Sequence, residues 1–262
     1  MSKPKESVSR TVFVAAVLCI VCSIVVATAA VKLRPIQQAN KQIDFQRNIL
    51  QAADIYDPSG DVAKQFDSKV ETRIIDFEKG EFTQAIDESF DQRSAAKDPK
   101  LSDAIEKTDD VAGISRREKY ARVYLIKDDE GELDRIVLPI RGYGLWSTLY
   151  GFIALEKDLN TVVGLGYYEH AETPGLGGEV DNPRWKEQWV GKKIYNTEGD
   201  VYLRVAKGGP NEETKDYHID AISGATLTSN GVHNMIMYWM GPYGYRPFLA
   251  RLEQQGGSLA MR

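Results

Sequence analysis

Cysteine is absent from this 262-residue chain beyond position 22, so everything after that point folds without a disulfide. Histidine is almost as scarce. His170, His218 and His233 are scattered and read as structural residues; with only Cys19 and Cys22 beside them they leave little material for a metal site. Lysine and arginine never cluster among aromatic residues, and the net charge is −5, which argues against a nucleic-acid partner. No G-x-G-x-x-G follows a strand-like run, so nothing points to a bound dinucleotide, and no nucleophile and base stand out as a pair.

Charge is missing from one long stretch. Residues 11–31, TVFVAAVLCIVCSIVVATAAV, contain no ionisable side chain of Asp, Glu, Lys or Arg. As a helix they would span roughly 31 Å, the thickness of a bilayer's hydrocarbon core. Lys3, Lys5 and Arg10 precede the run, and Lys32 and Arg34 follow it. The small residues Ala27-Thr28-Ala29 resemble a signal-peptide cleavage site, but the run exceeds the usual apolar core of such a peptide. A retained single-pass anchor is the expectation. The basic tail favours a cytoplasmic N-terminus and an exported C-terminal part. Cys19 and Cys22 share a helix face; a redox pair is one reading, and small residues for close helix packing is the favoured one.

Beyond the anchor, residues 35–53 predict a continuing helix, broken by Asp57-Pro58-Ser59-Gly60. Residues 61–79 fit a helix or a short strand. The polar stretch 91–119 reads as an insertion or linker outside the core. Strand-like runs then follow closely at 122–127, 134–142, 148–157 and 161–170, joined by short turns, which predicts antiparallel hairpins. PRWKEQWVG is helical in pattern, and 201–208 supplies a further strand. From Ala225 onward Val232, Met235, Ile236, Trp239 and Met240 follow helical spacing until Gly241-Pro242. The expected fold class is α+β, a curved antiparallel sheet packed by helices.

The segment DAISGATLTSNGV, residues 220–232, heads that last helix. Ser223 could simply cap it, with Asp220 near the positive helix end. A helix N-terminus also suits a phosphate, and the small Gly224 and Ala225 leave the Thr226 hydroxyl open. Asp220-x-x-Ser223-Gly224-Ala225-Thr226 resembles the acceptor motif of covalently flavinylated bacterial membrane proteins. There, a flavin transferase joins FMN through its phosphate to the final Thr. Carried over by position, Thr226 is the acceptor, Asp220 to Thr226 form the transferase recognition motif, and Thr228 is the nearest wrong answer. Upstream, Glu172-Thr173-Pro174-Gly175-Leu176-Gly177 resembles the segment that lies against the flavin in the FMN-binding domain. Pro174 and the glycines suit a tight turn, Leu176 offers an apolar face, and Glu172 and Thr173 could hydrogen-bond ring edges. An ordinary Pro-Gly turn is the competing reading.

The order of anchor, polar insertion and two motifs resembles the family of the C subunit of the sodium-translocating NADH:quinone reductase. That family is related to the G subunit of the RNF-type, ferredoxin-linked complex. The resemblance implies a 1–10 cytoplasmic tail, an 11–31 transmembrane helix in the bacterial inner membrane, a 32–120 connecting region and a 121–262 periplasmic FMN-binding domain. It further implies an electron-transfer role without binding of NADH by the chain itself, with other membrane subunits and a flavin transferase as partners. Leu145 and Trp146 could pack beside the ring, Trp146 alternatively in the core or at a membrane interface. Lys207 could place positive charge near the flavin or phosphate, or be a solvated strand end. Two alternatives stay open: the same module in the ferredoxin-linked complex, and a cofactor-free tethered scaffold.

Overall fold

The computed structural model describes residues 7–87, 90–128 and 130–255. The chain divides into two compact units, Met1–Asp44 and Phe45–Arg262. The first helix, α1 (Val8–Ala52), is continuous, with Pro35 inside it. Its apolar residues from Val8 to Val31 are exposed, and it is long and apolar enough to cross a membrane. Lys3 and Lys5 lie outside the described residues. Helix α1 stops where Asp54 turns left-handed (φ 54°), which lets the Ile55 N–H donate to the Leu50 carbonyl at 3.0 Å.

The ambiguous 61–79 segment holds both alternatives: helix α2 (Val62–Lys69), capped by the Asp61 side chain on Lys64 N–H, then strand β1 (Val70–Asp76). Strand β2 (Glu81–Thr83), helix α3 (Gln92–Ala95), and strands β3 (Ser102–Ala104), β4 (Arg116–Glu118), β5 (Tyr120–Lys127), β6 (Leu133–Tyr143), β7 (Thr148–Glu156) and β8 (Val162–Glu169) follow. The main sheet has the order β2-β1-β5-β6-β7-β8, antiparallel throughout. The expected α+β class and its antiparallel sheet are therefore what the chain adopts.

Both sheet faces are buried, so the strands read as near-continuous apolar runs. Period-two alternation sorts their side chains. Val123, Leu125, Ile136, Leu138, Leu149 and Leu155 face one core. Tyr124, Ile126, Val137, Phe152 and Ala154 face the other, which Phe45, Ile49, Ala52 and Ala53 complete from the end of α1. Close approach there needs glycine: a Cβ on Gly164 would lie 2.5 Å from the Ala52 carbonyl oxygen.

The first core is covered by helices α4 (Pro183–Glu187), α5 (Thr226–Trp239) and α6 (Arg246–Gln254). Val232, Met235, Ile236, Trp239 and Met240 are all fully buried, as their spacing requires. Two expectations need correction. The 201–208 run forms only the short β9 (Arg204–Ala206), which pairs in parallel with β10 (His218–Asp220) in a separate two-stranded sheet. The polar 91–119 segment is not a mere linker. It buries Ala95 and Ala112, and its Glu118, fully buried, accepts from Arg141 Nη2 at 2.7 Å and Gln92 Nε2 at 2.6 Å. Polar composition concealed this because buried Glu118 and Ser102 bring partners with them, Ser102 donating to the Asp98 carbonyl at 2.7 Å and accepting from Arg116 Nε at 2.8 Å.

Candidate functional site

Three short segments converge: the β6–β7 turn at 144–147, the 172–177 turn and the start of α5. The first is closed by the Gly144 N–H donating to the Ser147 carbonyl at 2.9 Å. In the second, Leu176 and Gly178 N–H groups both donate to the Thr173 carbonyl, at 3.1 and 2.9 Å, and Gly175 has φ +75°. The third begins with Gly224 at φ +76°, where a Cβ would meet Leu176 Cδ2 at 3.3 Å. The two motifs thus touch across 48 positions of sequence (224 − 176).

Glu172 locks these segments together. It is only 5% exposed. Its Oε1 accepts from the backbone N–H groups of Leu145 (3.0 Å), Trp146 (2.9 Å) and Ser147 (3.3 Å), and its Oε2 from the Thr228 hydroxyl (2.8 Å). Burial pushes its pKa up. The hydrogen bonds from Trp146, Thr228, Leu145 and Ser147 outweigh that and hold it below the usual carboxylate range. Both Glu172 oxygens accept hydrogen bonds from within the protein, so in this structure the carboxylate ties the three segments to one another. The Glu172 N–H donates to His170 Nδ1 at 3.2 Å, and His170 Nε2 meets Asp181 at 2.8 Å. Asp181 raises the His170 pKa, with burial opposing it.

The two threonines part company here. Thr226 is the first residue of α5 and exposed, whereas Thr228 is 0% exposed with its hydroxyl already given to Glu172. Ser223 is exposed and does not cap the helix. Ala225 occupies the N-cap position with no side-chain hydrogen bond. Ser229 does the local work instead, its hydroxyl accepting from Ile222 N–H (2.9 Å) and donating to the Ala225 carbonyl (3.0 Å). The α5 N-terminus, free of a side-chain cap, keeps its positive end available to an anion. The Asp220 backbone is held by Trp185 Nε1 and Gln188 Oε1, and its carboxylate faces His218 at 3.1 Å.

Apolar side chains stand exposed on all three converging segments. Trp146 is 66% exposed, which rules out its core-packing reading, and Leu145, Leu176 and Leu227 are exposed as well. Thr173 is exposed and Gly177 buried against Glu172 and Thr228. Lys207 is exposed just past β9, and the Ala206 carbonyl beside it accepts from Ala221 N–H. Leu227 escaped the sequence reading, although its place off the 232/235/236/239 stripe was the available signal. Thr228 stands at helical spacing with Val232, Met235 and Ile236, which signals its burial, but its partner, 56 positions upstream, left no signal.

An exposed hydroxyl at an uncapped helix start, beside exposed apolar groups and a turn with no Cβ in the way, fits a phosphate bearing a flat aromatic ring. Comparison with known proteins agrees. The FMN-binding domain family matches residues 144–241, which contain all three segments. The C subunit of the Na(+)-translocating NADH-quinone reductase of Pseudomonas aeruginosa is 50% identical, over 95% of this chain and 98% of that one. Its counterpart from Haemophilus ducreyi is 45% identical over 97% and 98%. The crystal structure of Shewanella oneidensis NqrC superposes with a TM-score of 0.76 at 37% identity, covering 82% of this chain and 99% of that one.

Proposed function

The chain belongs to the family of the Na(+)-translocating NADH-quinone reductase C subunits, and from that premise we propose that it is the membrane-anchored electron-transfer subunit that carries FMN as a phosphoester on Thr226. The observation behind this reading is the contrast between two neighbouring hydroxyls, Thr226 open at the helix start and Thr228 buried on Glu172. When bound, the flavin supplies reversible electron transfer.

The chain's own residues do the rest. Backbone N–H groups and the dipole of α5 stabilise the phosphate oxygens. Gly224 and Gly175 both hold a positive φ that favours glycine, and a Cβ on Gly224 would crowd Leu176. Leu145, Trp146 and Leu176 cover apolar ring surface and keep water from it, and the Thr173 hydroxyl stands free to hydrogen-bond. Lys207 supplies positive charge near the motif. In the Asp220–Thr226 segment, Asp220, Ser223, Gly224 and Thr226 are exposed and present the acceptor to a flavin transferase. The uncharged run of α1 anchors the protein with its N-terminus in the cytoplasm and the Phe45–Arg262 unit in the periplasm, against other membrane subunits. One span without an ionisable residue is a poor ion path, so sodium transport rests with those partners.

Full-length similarity at 42–50% identity to proteins that all bear the name of the sodium-translocating complex favours that complex over the ferredoxin-linked one. The test is the assembled complex run on a denaturing gel. Flavin fluorescence should stay with this protein's band, map to the peptide containing Thr226, and vanish in Thr226→Ala. A fluorescent Thr226→Ala band would refute the assignment.

A further inference from the structure

Helix α5 has no side-chain cap, so something else must fix its first turn. One link is Thr228, whose buried hydroxyl reaches Glu172 Oε2 at 2.8 Å while Glu172 Oε1 holds the three N–H groups of the Leu145–Trp146–Ser147 turn. The carboxylate is a bridge between the helix that bears Thr226 and the turn that bears Trp146. Its fit is tight. A Cβ on Gly177 would lie 2.5 Å from Thr228 Oγ1 and 2.6 Å from Glu172 Oε2, and one on Gly144 would lie 2.6 Å from Glu172 Oε1.

Resting on the reading of Thr226 as acceptor, we propose that Thr228 is a positioning residue for the flavin site. Its hydroxyl, through Glu172, sets the distance between the phosphate anchor and the apolar groups that flank the ring. A group held at its phosphate is sensitive at the far end to small shifts between its two supports, so loosening this bridge changes the ring's surroundings without touching the attachment point. The Ser229–Ile222 bond cannot substitute, because it stays within the helix start and does not reach the 144–147 turn.

The test uses the full chain, co-expressed with an active flavin transferase, as wild type, Thr228→Val, Thr228→Ser and Gly177→Ala. The readouts are visible circular dichroism of the bound flavin and its midpoint potential, with far-ultraviolet circular dichroism to confirm folding. Thr228→Val, nearly the same shape without the hydroxyl, should lose the wild-type flavin dichroism band and shift the potential. Gly177→Ala, which pushes on the same bridge from the other side, should change the band too. Thr228→Ser should restore wild-type values. A folded Thr228→Val with the wild-type band and potential would overturn the proposal, as would a Thr228→Ser that shifts equally. Should Thr228→Val not fold, a Gly177→Ala protein with an unchanged band overturns it. A wild type that takes no flavin from a transferase active on another target is a different result: it removes the acceptor reading and this proposal with it.

Discussion

At Glu172, one buried carboxylate meets four donors, and its chemistry sets an acid limit for the fold. Its folded-state pKa lies below the value of about 4.3 for the unfolded chain. The stabilisation it contributes is therefore complete above that value and is lost as pH falls through the folded pKa. Urea denaturation of wild type from pH 6 downward should show this loss below about pH 4.3, and Glu172→Gln should flatten that part of the profile. An unchanged slope in Glu172→Gln would assign the acid sensitivity elsewhere. Thr228→Val leaves Oε2 without its donor and should cost about 1–3 kcal/mol by the same measurement. At this scale the sequence displayed the hydroxyls of Ser223, Thr226, Thr228 and Ser229, and helical spacing puts Thr228 on the buried stripe, but it did not display what each hydroxyl bonds. That depends on Glu172, 56 positions before Thr228, and on a cap that Ser223 does not make.

Helix α5 shows why close packing, not helix propensity, decides substitutions in this fold. Alanine ordinarily improves a helix over glycine by roughly 1 kcal/mol. At Gly231, however, a Cβ would be driven into the Tyr143 carbonyl and sit 3.0 Å from Gly144 Cα. Overpacking of that kind costs about 1–3 kcal/mol, so Gly231→Ala should lower the melting temperature. Gly209→Ala, with nothing within 4 Å, should leave it unchanged. If both behave alike, the close approach of α5 to the β6–β7 turn is wrong. Elements with strong periodicity were legible from sequence. Strands β5 to β8 alternate between two cores, and the α5 stripe repeats at helical spacing. The parallel pairing of β9 with β10 was not legible, because three-residue strands carry no period. Nor were β3 and β4, equally short and polar, which are tied by contacts such as Arg116 Nη2 donating to the Ser102 carbonyl at 2.6 Å.

Over the whole molecule, exposed apolar surface is concentrated in α1 up to Ile36, while Ile49 and Leu50 at its end are fully buried. A chain beginning at Pro35 should therefore stay soluble without detergent and melt as one unit. A chain beginning at Asp54 loses Phe45, Ile49, Ala52 and Ala53 from the second core and should be several kcal/mol less stable or fail to fold. Equal melting of the two would remove the end of α1 from the folding unit. The anchor and the two motifs were the most legible parts of the function, since an uncharged run and two glycine-framed turns are local signals. The bridge that joins the motifs is not local and emerged only in three dimensions. The most direct test of the central claim is the intact mass of the full chain co-expressed with an active flavin transferase, wild type beside Thr226→Ala. An added mass of one FMN less one water, present in wild type and lost in Thr226→Ala, is the predicted result. An unmodified wild type, from cells in which the transferase modifies another target, would contradict it.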